Sequence, residues 1–174
     1  GTHGNGLGVS ICSSATAYEQ TAVTTTSGTE ALGQTIISVT DASTINVGDI
    51  VNFGETFEYE TTARNTTDNT ITIKLLDDPN GAGLQSQITS GTNIRRRWRF
   101  YDLFDGAPAT SDYATQNNRG NNDEIHIVVY DTEGDISGFS VDANGNRTNA
   151  VLETFGNLSV NVNAKSPQGD SIYY

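Results

Sequence analysis

Imidazole and thiol are scarce in this chain: His3, His126 and Cys12 are all there is. Nucleophilic catalysis needs a base beside a hydroxyl or thiol. His3 lies in the glycine-rich lead-in Gly-Thr-His-Gly-Asn-Gly-Leu-Gly, and His126 lies far from it in an alternating apolar run. Glu124 and Tyr130 share a strand face with His126, but no Gly-x-Ser-x-Gly elbow accompanies them. Neither His-x-His nor His-Glu-x-x-His occurs, so no zinc ligand pair is built in. The single Cys12 excludes an internal disulfide and a cysteine-based zinc cluster. Paired carboxylates could serve a β-sandwich glycosidase, yet Trp98 is the only tryptophan and a sugar cleft calls for several stacking aromatics. The expectation is a protein that is not an enzyme and uses no cofactor or metal.

Three further groups carry charge in a pattern. Asp41, Asp49, Asp77 and Asp78 are hard oxygen ligands of the kind calcium takes, but they sit at separate turns without ligand spacing. Asp142, Asn144, Asn146, Thr148 and Glu153 fall at positions 1, 3, 5, 7 and 12 of an EF-hand loop, but Arg147 stands where that loop needs glycine. A hairpin turn explains the segment better, since an Asn-Gly step between alternating runs is a strong hairpin signal. Arg95, Arg96, Arg97 and Arg99 form the one basic cluster, interleaved with Trp98, Phe100 and Tyr101. It reads as a stacking platform for nucleic acid, as a strand with its arginines outward, or as a contact with an acidic surface of another module or another copy. The net charge of −12 and pI of about 4.3 argue against nucleic acid and against anionic membranes. The glycines at the start lack the Gly-Lys-Ser/Thr of a phosphate-cradling loop, and a strand follows them rather than a helix.

The elements that must position these residues are strands. Hydrophobic residues make up 34% of the chain, a low share that a β-rich fold with many polar turns tolerates. No apolar run is long enough to span a membrane as a helix, and no signal peptide opens the chain. Its first residue is Gly1 and it contains no Met, as expected of a piece excised from a longer polypeptide. Asn122–Tyr130 is the strongest strand, with Ile125, Ile127 and Val129 alternating with Glu124, His126, Val128 and Tyr130. Thr132–Asp135 is a turn and Ile136 starts a return strand, with further strands at 135–141 and 149–155. Leu7–Cys12 is a strand. Thr21–Gly33 is a polar, Thr-rich linker. From Gln34 the texture changes to short strands at 35–39, 50–53, 57–61 and 70–75, separated by turn formers, which predicts a small β-barrel or sandwich over 22–95. Ser111 is placed to cap a single short helix, stopped by 117–122 with Gly120 as a left-handed terminator. Leu158, Val160 and Val162 alternate near the end.

The fold expectation is therefore mainly β, or β-rich α+β: an antiparallel sheet module with a short helix, formed by 1–21 with 96–174, and an inserted small β-barrel or sandwich module at 22–95.

Several blocks resemble the contractile tail sheath proteins of T4-like bacteriophages. They are Gly1–Leu7 ahead of Val9–Cys12, with His3 at a position usually aromatic; Leu103-Phe104-Asp105 to Pro108 with Thr110–Ala114; Asp123–Asp131 with Gly134, Ile136 and Gly138; and Val151–Phe155, Leu158-Ser159, Ala164-Lys165, Gly169 and Tyr173-Tyr174. They follow the family's order and cover roughly 1–20 and 98–174. The resemblance implies a structural subunit that stacks as hexameric rings around a tail tube and contracts to drive the tube through the host envelope. It implies partners in other sheath copies and the tube, no nucleic acid or membrane partner, no cofactor, and a place in the virion after assembly in the host cytoplasm. The 22–95 module lies outside the resemblance and reads as an exterior decoration or contact module. The chain alone, without the family's linking arms, is expected to be monomeric. The other expectation, from a different class, is a β-rich adhesin or carbohydrate-binding module of a virion or cell surface.

Overall fold

The computed structural model describes residues 6–76, 78, 80–132, 134–138, 140–141 and 147–174. Their strands in order are β1 (Leu7–Cys12), β2 (Glu19–Thr25), β3 (Ile36–Ser38), β4 (Ile50–Asn52), β5 (Tyr59–Asn65), β6 (Thr70–Leu75), β7 (Asn93–Arg97), β8 (Glu124–Asp131), β9 (Ser140–Val141), β10 (Arg147–Thr148) and β11 (Val151–Ser159). Two short helices, α1 (Ala15–Tyr18) and α2 (Asp112–Asn117), join them. Strand accounts for 39% of the chain against 11% helix, so the protein is mainly β. It divides into two compact units, one of residues 1–18 with 100–174 and one of residues 19–99.

The first unit is built on an antiparallel sheet in the order β1-β8-β11, with the strongly alternating β8 at its centre. Val9 faces Val129 and Ile11 faces Ile127 across one seam, and Phe155 faces Ile127 across the other. The opposite face carries Cys12, His126 and Val128, all fully buried. It is covered by Tyr18 and by the segment from Phe100 to Phe104. The Phe104 ring stacks on His126 at 4.3 Å and Phe100 tilts against Tyr130 at 5.1 Å. Tyr18 ties that segment down by donating its hydroxyl to the Tyr101 and Phe104 carbonyls. Gly8 is required beneath Tyr130: a Cβ there would lie 2.3 Å from the phenol ring.

The second unit is a six-stranded antiparallel sheet in the order β2-β7-β4-β5-β6-β3. Its ends meet. Thr26 bridges Val39, Ser27 N–H donates to the Ser38 carbonyl at 2.9 Å, and Thr40 N–H donates to the Thr25 carbonyl at 2.8 Å. The sheet thus closes into a small barrel, which removes the unpaired edges that an open sheet leaves. Inward residues of β3 to β7 fill it: Ile37, Val51, Tyr59, Ile71, Ile73 and Ile94. Burying each such aliphatic side chain contributes about 1.5–3 kcal/mol, so a modest apolar fraction suffices when it is concentrated on one side of every strand. The Tyr59 phenol, pushed up to about 12 by burial, donates to Glu55 Oε1 at 2.8 Å.

Several expected elements differ. Residues 21–25, expected as linker, form most of β2, because β7 offers them a partner that local sequence does not reveal. The barrel unit consequently spans 19–99 rather than 22–95, and all four arginines of the basic cluster belong to it rather than 96–99 to the sheath-like module. The return strand expected from Ile136 is instead a turn: the Asp131 carboxylate accepts from Gly134, Ile136 and Ser137 N–H at 2.8–3.0 Å and curls the chain around itself. β9 and β10 pair as a hairpin; the 142–146 connection that carries most of the EF-hand-like spacing lies outside the described residues. Ser111 caps α2, accepting from Ala114 N–H at 3.1 Å, but the left-handed terminator is Asn118 (φ 55°).

Candidate functional site

β7 carries the basic cluster onto the barrel wall, and alternation splits it. Arg96 points inward and is buried; its Nη1 meets Asp49 Oδ2 at 3.2 Å. Burial pushes the Asp49 carboxyl up, against the pull of Asn46 N–H and Arg96. Arg97 points outward and grips Glu58 with both ends of its fork, Nε to Oε1 at 3.0 Å and Nη2 to Oε2 at 2.7 Å. Those bonds hold the Glu58 carboxyl below its usual range. Arg99 reaches Glu60 Oε1 at 2.9 Å, and Lys74 takes the other oxygen of Glu60 at 3.0 Å. The expected contact set Arg95, Arg96, Arg97 and Arg99 is therefore mostly engaged within its own unit: carboxylates of β5, the loop before it and the turn before β4 hold three of the four. Arg95 is exposed and makes no ion pair among the described residues.

Arg95 stands beside a bulge. Gln20 pairs with Arg96 and Thr24 with Ile94, so residues 21–23 lie opposite Arg95 alone. Bulges re-aim side chains and interrupt the ladder. Beside it lies a cleft of about 410 Å³ on the barrel wall, lined by Glu19, Thr21, Asn52, Thr56, Glu58 and Arg95 among others. Its surface is polar, with carboxylates, hydroxyls and one uncommitted guanidinium. It can receive a hydrogen-bonding ligand or an acidic side chain.

The other candidates resolve into structural roles. His126 Nδ1 accepts from Asn157 N–H at 3.0 Å, which leaves Nε2 to carry the proton and donate to the Gly106 carbonyl at 2.8 Å. Both nitrogens of a neutral, buried imidazole are thus used by backbone. Glu124, expected beside it, accepts instead from Ala109 N–H and the Asn157 amide. Asp41 caps its own turn through Ser43, and Asp78 accepts from Asn80 and Ala82 N–H. Asp77 and residues 142–146 lie outside the described residues, as does His3. Among the described residues, no three His, Cys, Asp or Glu side chains converge in the way a metal requires.

One cluster had no sequence signal. Asp123, buried just before β8, accepts from Ser111 N–H at 2.8 Å, Ser111 Oγ at 2.7 Å, Asn161 Nδ2 at 2.9 Å and the Ser159 hydroxyl. Burial raises its carboxyl, but the donors from Ser159, Ser111 and Asn161 outweigh it and hold the group well below the carboxylate range. With four donors from Ser111, Ser159 and Asn161 on one carboxylate, it is a clamp that joins the α2 cap to the end of β11.

No family model, curated protein or solved structure matches this chain.

Proposed function

We propose that the chain is a structural part of a contractile phage tail sheath subunit, acting through contacts with other copies and the tail tube rather than through catalysis. The observation that carries the reading is the correspondence between the sequence blocks and the folding units. The blocks resembling the sheath family lie at 1–20 and 98–174, and residues 1–18 with 100–174 fold together as one compact unit. The intervening barrel, which lies outside the resemblance, is a unit of its own. The engagement of both His126 nitrogens and of Asp123 by structural partners favours a non-catalytic role. In this reading the protein resides in the virion and the barrel is a decoration or contact module. Negative-stain electron microscopy of the protein expressed from its full reading frame is the test. Hollow tubes of stacked rings are the expected result; dispersed particles across a range of salt and protein concentration refute it.

A second reading rests on the barrel cleft: a polar recess with an uncommitted Arg95 suits a carbohydrate-binding or adhesin module of a virion or cell surface. A glycan array probed with wild type and Arg95→Ala tests it, with loss of specific signal in the variant as the expected result.

A further inference from the structure

The sheet of the first unit has one finished face and one open face. On the open face Leu7, Val9 and Ile11 of β1 stand 45%, 59% and 48% exposed, and Phe155 of β11 stands 41% exposed. Between them on β8 lie Ile125 and Ile127, both buried, with Ile11 and Phe155 flanking Ile127 and Leu158 beside Ile125. Half-buried Val129 and Leu158 belong to the same face by register, and exposed Ile136 lies in the 134–138 turn whose N–H groups bond the Asp131 carboxylate. A two-layer domain normally buries such a face beneath a second layer.

Its dimensions select the occupant. Three strands about 4.8 Å apart and six residues long present a strip of about 14 by 20 Å, or about 280 Å². A single helix is about 10–12 Å across and spans 20 Å in about 13 residues, so it matches the strip in both directions.

Charge makes the same selection. Glu153 stands on the open face opposite Val129, and Asp135 lies exposed beside Ile136. Among the described residues, the strands of this face carry no Lys or Arg. A second copy would set carboxylates against carboxylates in a chain of net charge −12.

From these observations we infer that the open face of the β1-β8-β11 sheet is a docking site for an amphipathic helix of a partner protein. That helix presents apolar residues at i, i+3, i+4 and i+7 and flanks them with Lys or Arg. The inference stands on the geometry of the sheet and is independent of the sheath reading.

The test uses the whole chain and two 18-residue model helices with one identical Leu/Phe stripe, one flanked by Lys and the other by Glu. Binding is read by calorimetry in 150 mM salt, mapped by amide shifts, and accompanied by light scattering of the chain alone. The expected result is a monomeric chain that binds the Lys-flanked helix at least about tenfold more tightly than the Glu-flanked one. Shifts should concentrate in Leu7–Ile11 and around Phe155, and Val9→Lys with Ile11→Lys should weaken binding at least about tenfold. Both substitutions sit at exposed positions of an edge strand, and an unchanged amide spectrum for β8 verifies the fold. Four results overturn the proposal: no binding of the Lys-flanked helix; equal binding of both helices; equal binding to the doubly substituted chain, which reduces the effect to bulk charge; or a dimer abolished by the substitutions, which assigns the face to a second copy.

Discussion

Asp123→Ala removes one carboxylate that four donors share: Ser111 N–H, Ser111 Oγ, Ser159 Oγ and Asn161 Nδ2. A hydrogen bond to a charged group contributes about 1.5–3 kcal/mol, and a buried donor left without a partner costs about 1–3 kcal/mol. The four bonds act as a unit, so their values do not add. A loss of about 4 kcal/mol for Asp123→Ala is expected, and about 2 kcal/mol for Asp123→Asn, whose amide keeps one acceptor but turns a donor toward donors. At roughly 4–8 °C per kcal/mol for a domain of this size, the Asn variant should melt about 8–16 °C lower. Amide exchange of the β8 strand under native conditions reads the first unit directly, and emission from Trp98 reads the barrel unit separately. The sign with pH follows from the depressed carboxyl. An unfolded aspartate titrates near ~3.9, so the stabilisation is complete above about pH 4–5 and is lost as pH falls through the lower folded value. The difference between wild type and Asp123→Asn should therefore stay constant from neutral pH down to about 5 and shrink below about 4. Unchanged β8 protection in Asp123→Ala, or a gap that widens on acidification, would refute the assignment of this cluster as a clamp.

Other expected outcomes concern the barrel and the histidine. Asp49→Ala strands the buried Arg96 and should cost about 3–5 kcal/mol by urea unfolding, while Asp49→Leu with Arg96→Met should recover most of that loss. Burial raises the Asp49 carboxyl, so its contribution has the opposite sense to that of Asp123: it is fullest below the ordinary aspartate value and declines as pH rises through the folded one. Gly83→Ala places a Cβ 2.4 Å from the Gly33 and Gln34 carbonyl oxygens. Leu84 N–H holds the Gln34 carbonyl at 2.9 Å and the Leu84 carbonyl holds Gly33 N–H at 2.7 Å, so the backbone there cannot give way freely, and a loss of at least about 1–3 kcal/mol is expected from a Trp98-monitored melt. His126→Phe keeps the stack on Phe104 but leaves Asn157 N–H and the Gly106 carbonyl without their buried partner, and should cost about 2 kcal/mol by the same exchange measurement of β8.

The sequence by itself determined the class of this fold and its strongest elements. Alternation in Ile125, Ile127 and Val129 dictates a strand because its period of two is the period of the pleat. Short apolar runs between Asp-, Asn- and Gly-rich turns point to a small β module, barrel or sandwich, for the same reason. Ser111 announces the start of α2, since a hydroxyl just before a helical run satisfies an otherwise unpaired N–H. These signals are local, and a chain carries local signals in plain order. Tertiary structure decided what depends on partners distant in sequence. Polar β2 becomes a strand only because β7 and the Thr26–Val39 bridge close the barrel around it. Three arginines of an apparently free basic cluster find Asp49, Glu58 and Glu60 only when the strands align. Asp123 becomes a clamp because Ser111 and Ser159, twelve and thirty-six residues away, arrive at the same carboxylate. The open apolar face, too, exists only after pairing: alternation places Val9, Ile11 and Phe155 on one side of the sheet, but which side the chain covers is decided by where Tyr18 and the 100–104 segment come to rest.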